Sequence, residues 1–157
     1  MEEIVTKYAK TGDVHIAYQI FGSGKVKLVF VPGFVSHIEN YWTEPNLKRW
    51  LQRLGKFARV IMFDKRGTGL SDQLNEMPDM DERLDDILAV MDAENFEKAS
   101  LFGLSEGGSL ATFFAATHPK RTVSLIVFGG YSQFKYAYST QKSIDDMLQY
   151  IGYYNHR

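Results

Sequence analysis

Four short apolar runs constrain this chain more than any other feature. They are Lys27–Val31 (K-L-V-F-V), Arg59–Phe63 (R-V-I-M-F), Ala99–Leu104 (A-S-L-F-G-L) and Val123–Phe128 (V-S-L-I-V-F). Each is too short for a globular helix and reads as a strand, and the first two suit strands buried on both faces. Helical spacings lie between them. Leu47, Trp50, Leu51 and Leu54 fall at i, i+3, i+4 and i+7, with Pro45 near the first turn and Gly55 after the end. Leu84, Ile87, Leu88 and Met91 repeat the pattern, and Asp79 with Glu82 three residues on has the form of a capping box. Residues 106–117 predict a small-residue helix whose larger apolar members are Leu110, Phe113 and Phe114, stopped by His118-Pro119. Upstream, Ile4–Ala9 alternates weakly and Val14–Phe21 more clearly, with Gly12-Asp13 as a hairpin turn between them. Ser143–Tyr150 predicts one more short helix.

The order β-β-β-α-β-α-β-α-β predicts an α/β fold, a mostly parallel sheet of about six strands with helices on both faces. Such sheets bind ligands at the carboxyl ends of their strands. The glycine-bearing loops after Val31, Phe63 and Phe102 lie there.

Composition narrows the function classes. The 157 residues suit one domain. With 18 Lys+Arg against 19 Asp+Glu the net charge is −1, which leaves no electrostatic footprint for nucleic acid or an anionic membrane. No apolar run approaches the ~20 residues of a membrane span, and the acidic Met1-Glu2-Glu3 start is unlike a secretory signal. The absence of cysteine excludes disulfides, thiolate metal sites and cysteine nucleophiles, and fits a reducing, cytoplasmic setting. No His/Asp/Glu cluster has metal-ligand spacing, and no cofactor is implied.

The chemistry concentrates in Gly103-Leu104-Ser105-Glu106-Gly107-Gly108, a G-x-S-x-G pattern between a predicted strand and a predicted helix. In that setting it reads as a nucleophile elbow. Ser105 would occupy a strained turn with positive φ, and residues two places away must lack side chains because strand and helix approach too closely. The helix N-terminus then faces the hydroxyl and favours developing negative charge. The competing reading is a tight turn whose serine merely caps the helix. Val31-Pro32-Gly33-Phe34 follows the third strand, where a nucleophile-elbow architecture places the other half of its oxyanion hole; taken alone it reads as a Pro-Gly turn. Asp64–Asp72 (D-K-R-G-T-G-L-S-D) carries no G-x-x-x-x-G-K-[ST] phosphate loop and reads as structural, with Asp64 and Arg66 pinning it.

These motifs carry a resemblance. VPGF at 31–34, FDKRGTGLSD at 63–72, RLDDILAVMDA at 83–93, FGLSEGG at 102–108 and FAATHPKR at 114–121 are similar to the N-terminal part of α/β-hydrolases. More narrowly, they resemble the hydrolase domains that stand alone or are fused to bacterial adenylate/guanylate cyclase or regulator modules. The resemblance implies that Ser105 is the nucleophile and that the backbone N–H groups of Phe34 and Glu106 form the oxyanion hole. It also implies an eight-strand sheet in the order 1-2-4-3-5-6-7-8, of which residues 1–130 supply the N-terminal core. Residues 131–157 then begin a lid. Six of the nine tyrosines lie there, and Tyr131 with His37 is expected on the substrate side.

The triad acid and histidine of this family follow the serine, and the residues after Ser105 offer poor candidates. His118 sits at the far end of the predicted helix, about 20 Å away. His156 is next to the terminus, Asp145 and Asp146 fall in the predicted last helix, and the Glu106 side chain is expected along the helix surface. His15 lies in the predicted second strand, far from the active edge of the sheet, and His37 precedes the serine with no evident carboxylate to orient it. The expectation is therefore a serine hydrolase of small ester-like substrates in which this stretch is an N-terminal portion, inactive alone. A ligand-sensing or interaction module on the same scaffold and an inactive truncated product are the alternatives. Val123–Phe128, apolar and without Lys, Glu or Pro, would be an open edge, suited to a second chain or to the remaining strands.

Overall fold

The computed structural model describes residues 4–74 and 76–131. Six strands form one sheet: β1 (Lys7–Thr11), β2 (Val14–Phe21), β3 (Val26–Val31), β4 (Ala58–Phe63), β5 (Ala99–Leu104) and β6 (Thr122–Phe128). Three helices connect them: α1 (Pro45–Gly55), α2 (Met80–Ala93) and α3 (Glu106–Thr117). The strand order is β1-β2-β4-β3-β5-β6. The pairs β1/β2 and β2/β4 are antiparallel, whereas β3/β4, β3/β5 and β5/β6 are parallel. This is the first six positions of the expected order. The expected helix at Ser143–Tyr150, most of the 131–157 segment and the candidates Asp145, Asp146 and His156 lie outside the described residues.

Three of the four apolar runs, β3, β4 and β5, become central strands because both residue parities are buried or half-buried, whereas β6 is largely exposed. Leu28 and Phe30 of β3, with Val60 and Met62 of β4, pack with Ile38, Leu51 and Leu54 on the α1 face. Val29 and Val31, with Ile61 and Phe63, pack with Ile87, Met91, Leu110 and Phe114 on the α2/α3 face. The sheet therefore lies between two apolar layers, and its parallel strands end toward the same edge.

Three expectations shift in detail. The first strand begins at Lys7 rather than Ile4, because Thr11 pairs with Val14 and the two-residue turn at Gly12 (φ 57°) fixes the register. Gly55 is the last residue of α1 rather than the residue after it, and the cap is Glu44, whose carboxylate accepts the Asn46 and Leu47 N–H groups. Of the three larger apolar members of the third helix, Phe113 is 40% exposed, since α3 turns Leu110, Ala111 and Phe114 to the sheet. Among the described residues β6 is an edge strand, with Val123, Ile126, Val127 and Phe128 exposed.

The capping box on α2 is present in full. Asp79 accepts the Glu82 N–H at 2.8 Å and Glu82 accepts the Asp79 N–H at 2.9 Å. Asp79→Ala is expected to cost about 1 kcal/mol. Urea denaturation measures it, and a loss below about 0.3 kcal/mol would show that tertiary packing alone sets the start of α2.

Candidate active site

Ser105 sits between β5 and α3 with φ 53° and ψ −122°. Positive φ at a non-glycine residue is strained and persists only where surrounding contacts over-determine it. Those contacts are visible. The Ser105 N–H donates to the Phe128 carbonyl at 2.8 Å, and the Ser105 carbonyl accepts the Gly108 N–H at 2.9 Å. The Ser105 side chain makes no capping hydrogen bond to α3, which removes the main alternative use of a serine at this position.

Two glycines permit the close approach. A Cβ at Gly103 would stand 2.5 Å from the Gly107 carbonyl oxygen. A Cβ at Gly107 would stand 2.1 Å from the Pro32 carbonyl oxygen and 2.4 Å from that of Val31. The end of β5, the first turn of α3 and the loop after β3 are therefore in backbone contact. Gly33 lies against Ser105, because a Cβ there would be 3.5 Å from the Ser105 Cβ. The structure thus brings Phe34, Ser105 and Glu106 to one edge of the sheet. Tyr131 is there too: its carbonyl accepts the Ser109 hydroxyl of α3.

The loop after β4 supports this edge as expected, through Asp64 and Arg66. The Asp64 carboxylate accepts the Ile38 N–H at 3.1 Å and the Leu70 N–H at 3.0 Å, tying the loop after β3 to the loop after β4. Burial pushes the Asp64 carboxyl above its ordinary pKa, against the pull of these amides, the Ser36 hydroxyl and His37. Arg66 Nε donates to Asp86 at 2.9 Å, and its guanidinium also meets Glu82 at 3.3 Å.

The Glu106 side chain is a correction. It does not run along the helix surface but is buried, with Lys65 Nζ 2.5 Å from Oε2 and Arg83 on Oε1. Burial would raise the Glu106 carboxyl, yet Lys65 and Arg83 together hold it below the ordinary range. Sequence reasoning assigned Lys65 no role. No local pattern marks it, because its partner lies 41 residues away.

The histidines separate. His15 pairs with Asp72 at 2.9 Å on the exposed side of β2. His118 stacks on Phe114 at 4.7 Å beyond the end of α3. His37 lies between two residues whose amide or hydroxyl meets Asp64, and its Nδ1 is buried with no hydrogen-bond partner among the described residues. Among the described residues no group of three or more His, Asp and Glu is placed to hold a metal ion, and no helix is long and apolar enough to cross a membrane. A cavity of about 420 Å³ lined by Ile4, Phe21, Trp42 and Lys56 lies at the opposite end of the sheet and contains none of these site residues.

The chain is similar to known hydrolases in sequence and in fold. A putative carbamate hydrolase RutD of a Caulobacter species is 36% identical over 84 residues, covering 53% of this chain and 31% of the relative. A 2-hydroxy-6-oxononadienedioate/2-hydroxy-6-oxononatrienedioate hydrolase of Paraburkholderia phymatum is 30% identical over 128 residues, covering 75% of this chain and 41% of the relative. The chain thus spans about a third to two-fifths of the length of these curated relatives. Among solved structures, a hydrolase from Pseudomonas aeruginosa superposes with a TM-score of 0.76 at 24% identity, covering 92% of this chain and 53% of that one. The meta-cleavage product hydrolase CumD superposes with a TM-score of 0.68 at 30% identity, covering 79% and 45%. A family model described as the alpha/beta hydrolase fold matches residues 27–154, and with the strand order and the turn at Ser105 in place the chain belongs to that family.

Proposed function

We propose that this chain carries the nucleophile-bearing part of a serine hydrolase acting on small acyl compounds with an ester-like bond. The observation that carries the reading is Ser105 itself: positive φ at a strand-to-helix turn, with a side chain not engaged in capping the helix. Such a turn lifts the hydroxyl above the strand ends, where ligands of parallel sheets bind.

In this reading Ser105 Oγ attacks the substrate's carbonyl carbon while its proton passes to a general base. The carbonyl oxygen becomes an oxyanion, held by the backbone N–H groups of Phe34 and Glu106 and favoured by the N-terminus of α3. Collapse expels the leaving group, which takes the proton, and water then repeats the sequence on the acyl-serine. The base comes from outside the described residues, since His15 and His118 are engaged elsewhere. In this reading His37 and Tyr131 line the substrate side. The relatives are named for carbamate and 2-hydroxy-6-oxo-dienedioate substrates, so the shared element is hydrolysis at a carbonyl carbon.

A fluorophosphonate probe applied to the full-length protein tests this. It is expected to add one adduct, mapped to the peptide bearing Ser105 and absent in Ser105→Ala. No adduct, or an adduct elsewhere, overturns the assignment and favours a scaffold that binds without turnover.

A further inference from the structure

Glu106 poses an electrostatic problem for the site. Its backbone N–H is an oxyanion donor in the proposed reaction, yet its side chain places a full negative charge one residue from the nucleophile. Alone, that carboxylate would oppose the oxyanion by Coulomb repulsion, and more strongly in a buried setting than in water. Its two oxygens are instead each taken by a different cation. Lys65 Nζ, from the loop after β4, is 2.5 Å from Oε2. Arg83, from α2, meets Oε1. Both the Lys65 and Glu106 side chains are almost fully enclosed, at 6% and 11% exposure. The two cations offset the Glu106 charge at the helix end where the α3 dipole is positive.

Stability does not explain why such a cluster is buried here. Apolar side chains of similar volume commonly replace a buried ion pair without loss, because desolvating the charges offsets their attraction. Geometry and field do explain it. The carboxylate leaves the first residue of α3, so two partners on separate elements fix that turn against both the β4 loop and α2.

We propose that Lys65 and Arg83 are positioning residues of this site: through the Glu106 carboxylate they fix the first turn of α3 and offset the negative charge that would otherwise oppose the oxyanion. The inference rests on the hydrolase reading for its chemistry and on the ion cluster for its geometry. Neither residue touches substrate.

The test uses the full-length protein with Lys65→Met, which removes the more deeply buried of the two cations while keeping a side chain of similar length. Two measurements are made. The rate of fluorophosphonate addition to Ser105 is expected to fall about 10–100-fold, less than the roughly 10²–10³-fold lost when an oxyanion donor itself is removed, while the probe concentration giving half-maximal rate stays unchanged. Amide hydrogen exchange at Glu106, Gly107 and Gly108 is expected to accelerate about tenfold or more, with the β3 and β4 amides unchanged. Lys65→Arg, which keeps the charge, is expected to restore part of both. An unchanged addition rate with unchanged local exchange overturns the proposal. So does a uniform rise in exchange across the sheet, which marks a merely structural loss. If the unmodified protein takes no label, the hydrolase reading fails by that result, and the exchange measurement alone decides whether Lys65 holds the turn. If Lys65→Met does not fold, Arg83→Met, a change at a more exposed site, is read by the same two measurements.

Discussion

Gly107→Ala is expected to destabilise the fold by more than about 4 kcal/mol, a loss reserved for a few named mechanisms. The added methyl would stand 2.1 Å from the Pro32 carbonyl oxygen and 2.4 Å from the Val31 carbonyl oxygen. Both obstacles are backbone atoms at the end of β3, and β3 is hydrogen-bonded on both sides, to β4 and to β5. The strand cannot retreat without giving up one ladder, and α3 cannot lift without losing the burial of Leu110 and Phe114. Gly12→Ala is the contrasting case. Its φ is 57°, but nothing lies within 4 Å of the new Cβ, so only left-handed strain of about 1–2 kcal/mol is expected. Urea denaturation of the two variants separates close approach from backbone strain. A Gly107→Ala loss no larger than that of Gly12→Ala would show that the elbow is not held as tightly as its contacts indicate.

The same contrast explains how much of the molecule was legible in its sequence. The apolar runs of β3, β4 and β5 determined the centre of the sheet because strands buried on both faces leave no alternative period, and Val29/Val31 against Leu28/Phe30 realise this residue by residue. The turn at Ser105 was legible because glycines at 103 and 107 are needed wherever a strand and a helix approach so closely. Weaker signals failed for a reason of the same kind. The α1 cap was missed because Glu44 is an uncommon cap whose role depends on its two carboxylate oxygens reaching the Asn46 and Leu47 amides. The exposure of Phe113 was not legible, because aromatic character alone does not say which side of a small-residue helix faces the sheet. The burial of Lys65 and Glu106 was not legible at all. A Lys in a glycine-rich loop and a Glu at a helix start both look like solvated residues, and only the folded topology brings them together.

Arg66→Met is the second large effect, about 3–5 kcal/mol of lost stability. Asp86 on α2 is fully buried, and its carboxylate accepts from Arg66 Nε at 2.9 Å and from the Arg66 backbone N–H at 3.2 Å. A guanidinium contact at 2.8 Å completes a two-pronged pairing. Removing the guanidinium leaves a buried carboxyl with one amide, whereas Glu82, half exposed, loses a contact of little value. Two further measurements identify the cause. Arg66→Met/Asp86→Leu removes both charges and is expected to recover most of the loss, because no unpaired charge remains. The pH dependence gives the sign independently. Burial already raises the Asp86 carboxyl above its ordinary 3.8 against the pull of Arg66, and losing Arg66 raises it further. A group whose folded pKa is raised binds its proton more tightly in the folded state, so stability falls as pH rises through that value. The deficit of Arg66→Met relative to the parent is therefore expected to be largest at neutral pH and to shrink toward pH 4. A deficit that stays constant from pH 4 to 8, or a double variant no better than the single, would place the loss in side-chain packing and remove the buried charge from the explanation.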